Sequence, residues 1–264
     1  MATPLPPQSV TIPTPDGPAP EPRKLPAAYG ASWWGEGWRI FCAAPGTWIG
    51  MILILLVLMF LLLLVPIIGG IAQSLLMPVF AGGIMLGCNA LARGEPLRIA
   101  HLFDGFGGSG RFGALVIIGL VALAAGIVLG LICLAIIFAT IGIAGLTTLA
   151  SITDPTQISL DALMSFGVAL MGVALVALIG TSLIAMALWF APALVVLNGE
   201  EPIAAMRRSF RACWHNLGAM LVYGLIYIGL AIVATIPMGL GWLVLGPMLV
   251  GSCYAGWRTI FARS

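Results

Sequence analysis

Charge is scarce in this chain of 264 residues: Asp, Glu, Lys and Arg make up 8% of it, against 61% hydrophobic residues. Soluble domains carry about a quarter charged residues. A chain this poor in charge has too little polar surface to show water, which excludes the soluble globular class and makes the bilayer its main solvent. The long apolar runs lack ionisable groups altogether. Between Trp48 and Ala92, Gly113 and Thr153, Ala162 and Leu197, and Leu217 and Trp257 there is no Asp, Glu, Lys, Arg or His. Enzymes and ion-coupled pumps place such groups inside their spans and accept the cost for function, so the expectation is a non-enzyme with no catalytic residues.

Paired cysteines are also missing. Cys42, Cys88, Cys133, Cys213 and Cys253 stand singly, with no Cys-x-x-Cys and no His at metal-ligand spacing. They read as small apolar packers, with no metal and no cofactor expected. No cleavable signal peptide is visible, because the first apolar run begins near Thr47 and is too long for an h-region. The histidines, His101 and His215, fall in separate surface segments.

What the chain does have is concentrated basic charge. The Lys and Arg residues lie at Arg23, Lys24 and Arg39, at Arg93, Arg98 and Arg111, at Arg207, Arg208 and Arg211, and at Arg258 and Arg263. The segment Gly199 to Ile226 links one such cluster to a span. Apolar Ile203, Met206, Phe210, Cys213, Trp214 and Leu217 follow the three-and-four spacing of one helix face, and Arg207, Arg208, Arg211 and His215 form the opposite stripe. This pattern predicts a helix at headgroup level, aromatic side down. Arg207, Arg208, Arg211 and His215 are the candidate contacts for anionic lipid headgroups or a protein partner. Nothing points to nucleic acid.

Residues 1–30 are rich in proline and predict a disordered tail; residues 31–264 form one transmembrane domain. A weaker amphipathic segment starts near Ser32, with Trp34, Trp38 and Phe41 on one side and Glu36 and Arg39 off it. Six spans are expected in an all-α bundle, at about 48–65, 71–92, 113–150, 162–197, 217–235 and 242–261. The first turn is assigned to Pro66 with Gly69 and Gly70, and Pro78 is expected to kink the second span. The two central runs exceed the ~20 residues a crossing needs, so each is one long helix or two shorter spans, the former preferred. Residues 93–112 predict a short amphipathic helix through Ile99, Leu102, Phe103 and Phe106. Gly105, Gly107 and Gly110 match G-x-G-x-x-G, but without a preceding strand they read as a hinge. Glu95, Glu200 and Glu201, with Pro96 and Pro202, suit helix starts.

With six spans every basic cluster falls on one side, which the positive-inside rule makes cytoplasmic, both termini included. The two central breaks superpose at a shift of 105 residues, Gly94-Glu95 on Gly199-Glu200 and Gly113-Ala114 on Gly218-Ala219. Three parallel repeats of surface helix plus hairpin are expected.

The stretch APALVVLNGEEPIAAMRRSFRACWHNLGAMLVYGLI, followed by LGWLVLGPMLVGSCYAGWRTIF, resembles a family of uncharacterised bacterial six-helix membrane proteins. That family is similar in turn to the membrane domain fused to some glycerophosphodiester phosphodiesterases. The resemblance rests on the Gly-Glu-Glu-Pro entry, Ala205 to Ser209 with Asn216, and Gly246-Pro247 with Tyr254 to Phe261. It implies a fold and an inner-membrane location without an activity. Two function classes result: a protein that binds or organises a lipid or protein partner, and a transporter or exporter of a small apolar or amphiphilic molecule.

Overall fold

The structure, a computed structural model, describes residues 21–107, 110–151 and 160–261. Most of the expected Pro-rich tail lies outside them. The described residues are helical without a strand: α1 (Tyr29–Ala43), α2 (Pro45–Leu63), α3 (Ile68–Ala92), a 3₁₀ turn (Ile99–Phe103), α4 (Phe112–Ser151), α5 (Leu160–Leu188), α6 (Ala191–Asn198), α7 (Pro202–His215), α8 (Leu217–Thr235) and α9 (Trp242–Phe261). Five stretches are long and apolar enough to cross a membrane, namely Pro45–Leu63, Ile68–Ala92, Phe112–Ala139, Gly167–Asn198 and Leu217–Thr235. The chain is a polytopic all-α membrane protein.

The described residues divide into two compact units, one of those up to 120 with those from 186 onward, the other of those between 121 and 185. In the first unit the centre is α9, the expected sixth span. Leu245, Pro247, Gly251 to Trp257, Ile260 and Phe261 of α9 are buried. This helix is not among the five stretches, so six expected spans stand against five: its glycines, Tyr254, Trp257 and Arg258 leave it less apolar than those helices, and it is largely buried against protein. Pro78 and Pro247 lie inside the continuous helices α3 and α9.

The N-terminal helix α1 departs from expectation. It packs along α9 and also against α8, so it is part of the bundle and not a surface copy of α7. The contact runs through glycine: a Cβ on Gly30 would stand 2.2 Å from the Ala219 carbonyl oxygen, and one on Gly37 would stand 2.4 Å from that of Met248. Trp33, Trp34 and Phe41 form its buried face, while Trp38 points outward at 49% exposure. A buried indole N–H must find an acceptor. Trp33 donates to Thr259 Oγ1 at 2.9 Å, Trp34 to the Tyr223 carbonyl at 3.1 Å, Trp48 to the Ile40 carbonyl at 3.0 Å and Trp257 to Asn198 Oδ1 at 2.9 Å. Glu36 of α1 pairs with Arg39 and, at 3.2 Å, with Arg258 of α9. Before α1, residues 21–25 are pinned rather than free: Leu25 N–H donates to Asn216 Oδ1 at 2.7 Å, Asn216 Nδ2 donates to the Arg23 carbonyl at 2.9 Å, and Arg23 N–H donates to the Ile260 carbonyl at 3.2 Å.

The α2–α3 turn is made differently from the expectation. Gly69 and Gly70 belong to the first turn of α3, and the reversal falls on Ile67 at φ 65°, a strained value for a β-branched residue. Gly69 is required by proximity instead, since a Cβ there would lie 1.7 Å from the Leu62 carbonyl oxygen. The loop after α3 docks back on that helix. A Cβ on Gly83 would meet the His101 carbonyl oxygen at 2.5 Å, and one on Gly105 would meet that of Val79 at 2.1 Å. Gly105 is thus a packing residue and not a hinge.

The run 162–197, expected to lack an internal turn, is interrupted at Trp189-Phe190 and restarts as α6. Pro192 is the cause: it lacks an N–H and disfavours helix in the residue before it, so it occupies the first turn of α6. Ser209 of α7 repairs the break. Its hydroxyl donates to the Met186 carbonyl at 2.7 Å and accepts from Phe190 N–H at 2.9 Å.

The expected repeat holds at one turn. Gly94 and Gly199 both take left-handed φ, 80° and 70°, and the adjoining Glu95 and Glu200 N–H groups bond back to the Ala90 and Leu194 carbonyls. Beyond that turn the two copies diverge, one into a 3₁₀ turn and the other into a 14-residue helix.

In the second unit, residues 121–185, the helices touch at Gly180, where a Cβ would lie 2.4 Å from Leu129 Cδ1. Among the described side chains there, most of the other large ones, Leu131, Phe138, Met171 and Leu178 included, are exposed. The whole of α4 has 40 residues, roughly 60 Å at 1.5 Å per residue.

Candidate functional site

The helix α7 is built by its ends. Asn198 closes α6, Gly199 turns the chain in the left-handed region, and Glu201 at extended φ and ψ leads into Pro202 at the first helical position, where a missing N–H costs nothing. At about 100° per residue the helix presents three faces. The first carries the small residues Ala205, Ser209, Ala212 and Cys213, all buried, and continues to Asn216 at 2% exposure. Burial pushes the Cys213 thiol up to about 12, only partly opposed by Ser209. The second face carries Ile203 and Trp214, exposed by 43% and 55%, with half-buried Met206 and Phe210. Phe210 and Trp214 stack, their centroids 6.0 Å apart.

The third face is cationic, and it divides the candidates. Arg207 and Arg211 are exposed; Arg211 lies 3.7 Å from Glu21, both well solvated. His215 is exposed, its Nδ1 2.9 Å from the Arg211 carbonyl oxygen. Arg208 turns inward: Nη1 contacts Glu200 Oε1 at 2.5 Å, the side chains being 15% and 10% exposed. Its guanidinium also lies over the Phe261 ring at 5.9 Å. The Glu200 carboxyl is raised above the usual range because burial outweighs the attraction of Arg208. Arg111 supports the same corner, donating to the Gly199 carbonyl at 3.2 Å.

Arg207, Arg211 and His215 therefore form one outward surface beside an exposed aromatic pair, while Arg208 holds the turn that sets the angle of α7. Sequence spacing placed all four on one stripe and could not show this separation. It also read the helix as an apolar face set against a cationic one and did not single out Ala205, Ser209 and Ala212 as a third face that meets protein. Ser209, Asn216 and Asn198 were missed as structural bonds; each is a small polar residue beside an apolar run, and only the fold reveals its partner. Further polar pairs lie inside the bundle, Tyr254 to Asn89 at 3.1 Å and Tyr223 to Ser252 at 2.7 Å. Among the described residues no group of His, Cys, Asp and Glu could hold a metal ion.

Elsewhere, Tyr227, Ile228, Ala231, Ile232, Thr235 and Ile236 of α8 and the turn after it line an open apolar groove of about 520 Å³.

The chain is similar to a protein of Burkholderia thailandensis named a probable inner membrane protein, with 31% identity over 212 residues, 79% of this chain and 76% of that one. No solved structure matches it. A family profile described as a domain of unknown function, DUF7847, matches residues 63–256 and so takes in α3 to α9 almost whole. The chain belongs to the DUF7847 family.

Proposed function

We propose that this protein is a non-enzymatic, multi-pass component of a bacterial cytoplasmic membrane that gathers anionic lipid headgroups on its cytoplasmic side through Arg207 and Arg211, with His215 beside them. The observation that carries this reading is the division of α7, in which a cationic face and an exposed aromatic face adjoin while a small-residue face fixes the helix to the bundle. A helix of that design lies at headgroup level with its aromatic rings about 5–10 Å into the acyl boundary. The gathering of basic residues into clusters supports, by the positive-inside rule, a cytoplasmic position for that side and for both termini. The spans' freedom from ionisable residues supports a role without chemistry of its own. The inner-membrane name of the relative agrees with the location.

Each basic residue near an anionic surface contributes about 1 kcal/mol. Arg207→Gln with Arg211→Gln is expected to lower retention of phosphatidylglycerol or cardiolipin by about thirtyfold, measured by native mass spectrometry of protein released from nanodiscs. Unchanged retention in a folded double variant contradicts the proposal, whereas loss of a copurifying protein with no change in lipid points to a protein partner instead.

A further inference from the structure

A second cluster of ionisable side chains lies away from α7, where α3 ends. Leu86 and Ala90 of α3, with Arg93, Glu95, His101 and Asp104 of the loop after it, line a cavity of about 280 Å³. The charged lining has both signs. Arg93 Nε pairs with Glu95 Oε1 at 3.2 Å, which leaves the two terminal guanidinium nitrogens, the fork that suits a phosphate. His101 Nδ1 accepts the Arg98 N–H at 3.1 Å, so the neutral ring carries its proton on Nε2 and offers a second donor. Asp104 is half-buried and enters no salt bridge among the described residues. With Glu95 it supplies carboxylate acceptors a few residues from those donors.

We propose that this cavity binds a zwitterion in which a phosphate is joined by a short link to a primary ammonium, with phosphate on Arg93 and His101 and ammonium on Asp104 and Glu95. The volume of about 280 Å³ lies just below the range of about 300–1,000 Å³ for drug-sized sites and suits a headgroup-sized ligand. The lining has no Phe, Tyr or Trp face, so a quaternary ammonium would lack the aromatic cage it needs, while a primary ammonium can donate to both carboxylates. The site closes the C-terminal end of a candidate span, which is headgroup level. It shares no residue with the α7 surface, so either reading can fail without the other.

The test needs only the wild-type full-length chain. In nanodiscs of phosphatidylcholine, added phosphatidylethanolamine is expected to be retained at least about tenfold over added phosphatidylcholine, read by native mass spectrometry. Soluble phosphoethanolamine and phosphocholine, titrated calorimetrically, form the second arm. Binding of phosphoethanolamine alone identifies a soluble ligand, and selective retention of the lipid identifies a headgroup; both support the shared chemistry. Equal binding of the ethanolamine and choline forms in both arms overturns it. Asp104→Asn is expected to abolish the discrimination and Arg93→Gln to weaken both forms. Arg93 is about half exposed and Asp104 is half-buried without a salt bridge among the described residues, so both variants are expected to fold, and wild-type behaviour from both also overturns the proposal.

Discussion

Replacing Arg208 with alanine is expected to destabilise the folded protein by about 3 kcal/mol, while Arg207→Ala, one residue away, stays within about 0.5 kcal/mol. The two differ because Arg208 neutralises a carboxylate that is itself only 10% exposed, whereas Arg207 faces outward. Removing the cation leaves Glu200 buried and charged. The sign of the pH dependence comes from the raised Glu200 carboxyl. Protonated Glu200 favours the fold, so its stabilising contribution is complete below the ordinary glutamate value of about 4.3 and is lost as pH rises through the raised folded value. Without Arg208 that value rises further. The deficit of Arg208→Ala is thus largest at neutral pH and shrinks in acid, and adding Glu200→Gln restores much of the stability. Thermal melts in detergent across pH 4.5–8 read all of these outcomes. Equal losses for Arg207→Ala and Arg208→Ala would show that the inward pair does not hold the turn.

A change on α1 is expected to be as large. Gly37→Ala should cost about 1–3 kcal/mol, and Gly37→Leu should separate α1 from α9, because a Cβ at this position meets the Met248 carbonyl oxygen at 2.4 Å and Ser252 N at 3.0 Å. Those are backbone atoms of α9 and cannot rotate away. Gly35, on the same helix, has nothing within 4 Å of a Cβ, and Gly35→Ala should gain up to about 1 kcal/mol from helix propensity. Separation exposes Trp33 and Trp34, now 2% and 5% exposed, and reads as a red-shifted tryptophan emission with faster proteolysis near residue 40. If Gly35→Ala and Gly37→Ala behave alike, α1 does not pack as described.

Much of this fold is legible in residue spacing, and the failures have physical causes. Runs free of ionisable residues mark the spans, and Pro202 marks a helix start. Periodicity finds α7 but not its buried side. In water the large apolar residues would turn inward, but beside lipid they gain little by doing so, and small residues let backbones approach. That is why Ala205, Ser209 and Ala212 meet the bundle while Trp214 does not. The same logic hides α1, whose Gly30 and Gly37 read as helix weakeners until α8 and α9 are laid against them. Pro192 is a visible stop in a run that otherwise reads as uninterrupted, and the serine that completes the stop lies 17 residues later, at Ser209, beyond any local pattern. At the candidate site the basic stripe is evident from sequence. The capture of Arg208 by Glu200 needs the positive φ of Gly199 to bring the two together.

The most direct test of the proposed role is the depth of α7 in a membrane. A nitroxide placed at Arg207→Cys or Trp214→Cys, in nanodiscs containing phosphatidylglycerol, reports its surroundings through collision with oxygen, which favours the bilayer, and with a water-soluble nickel chelate. The expected result is a label at 214 about 5–10 Å below the phosphates and one at 207 level with them, both on the cytoplasmic side. Two labels equally open to the chelate, as on a helix standing in water, would contradict the account.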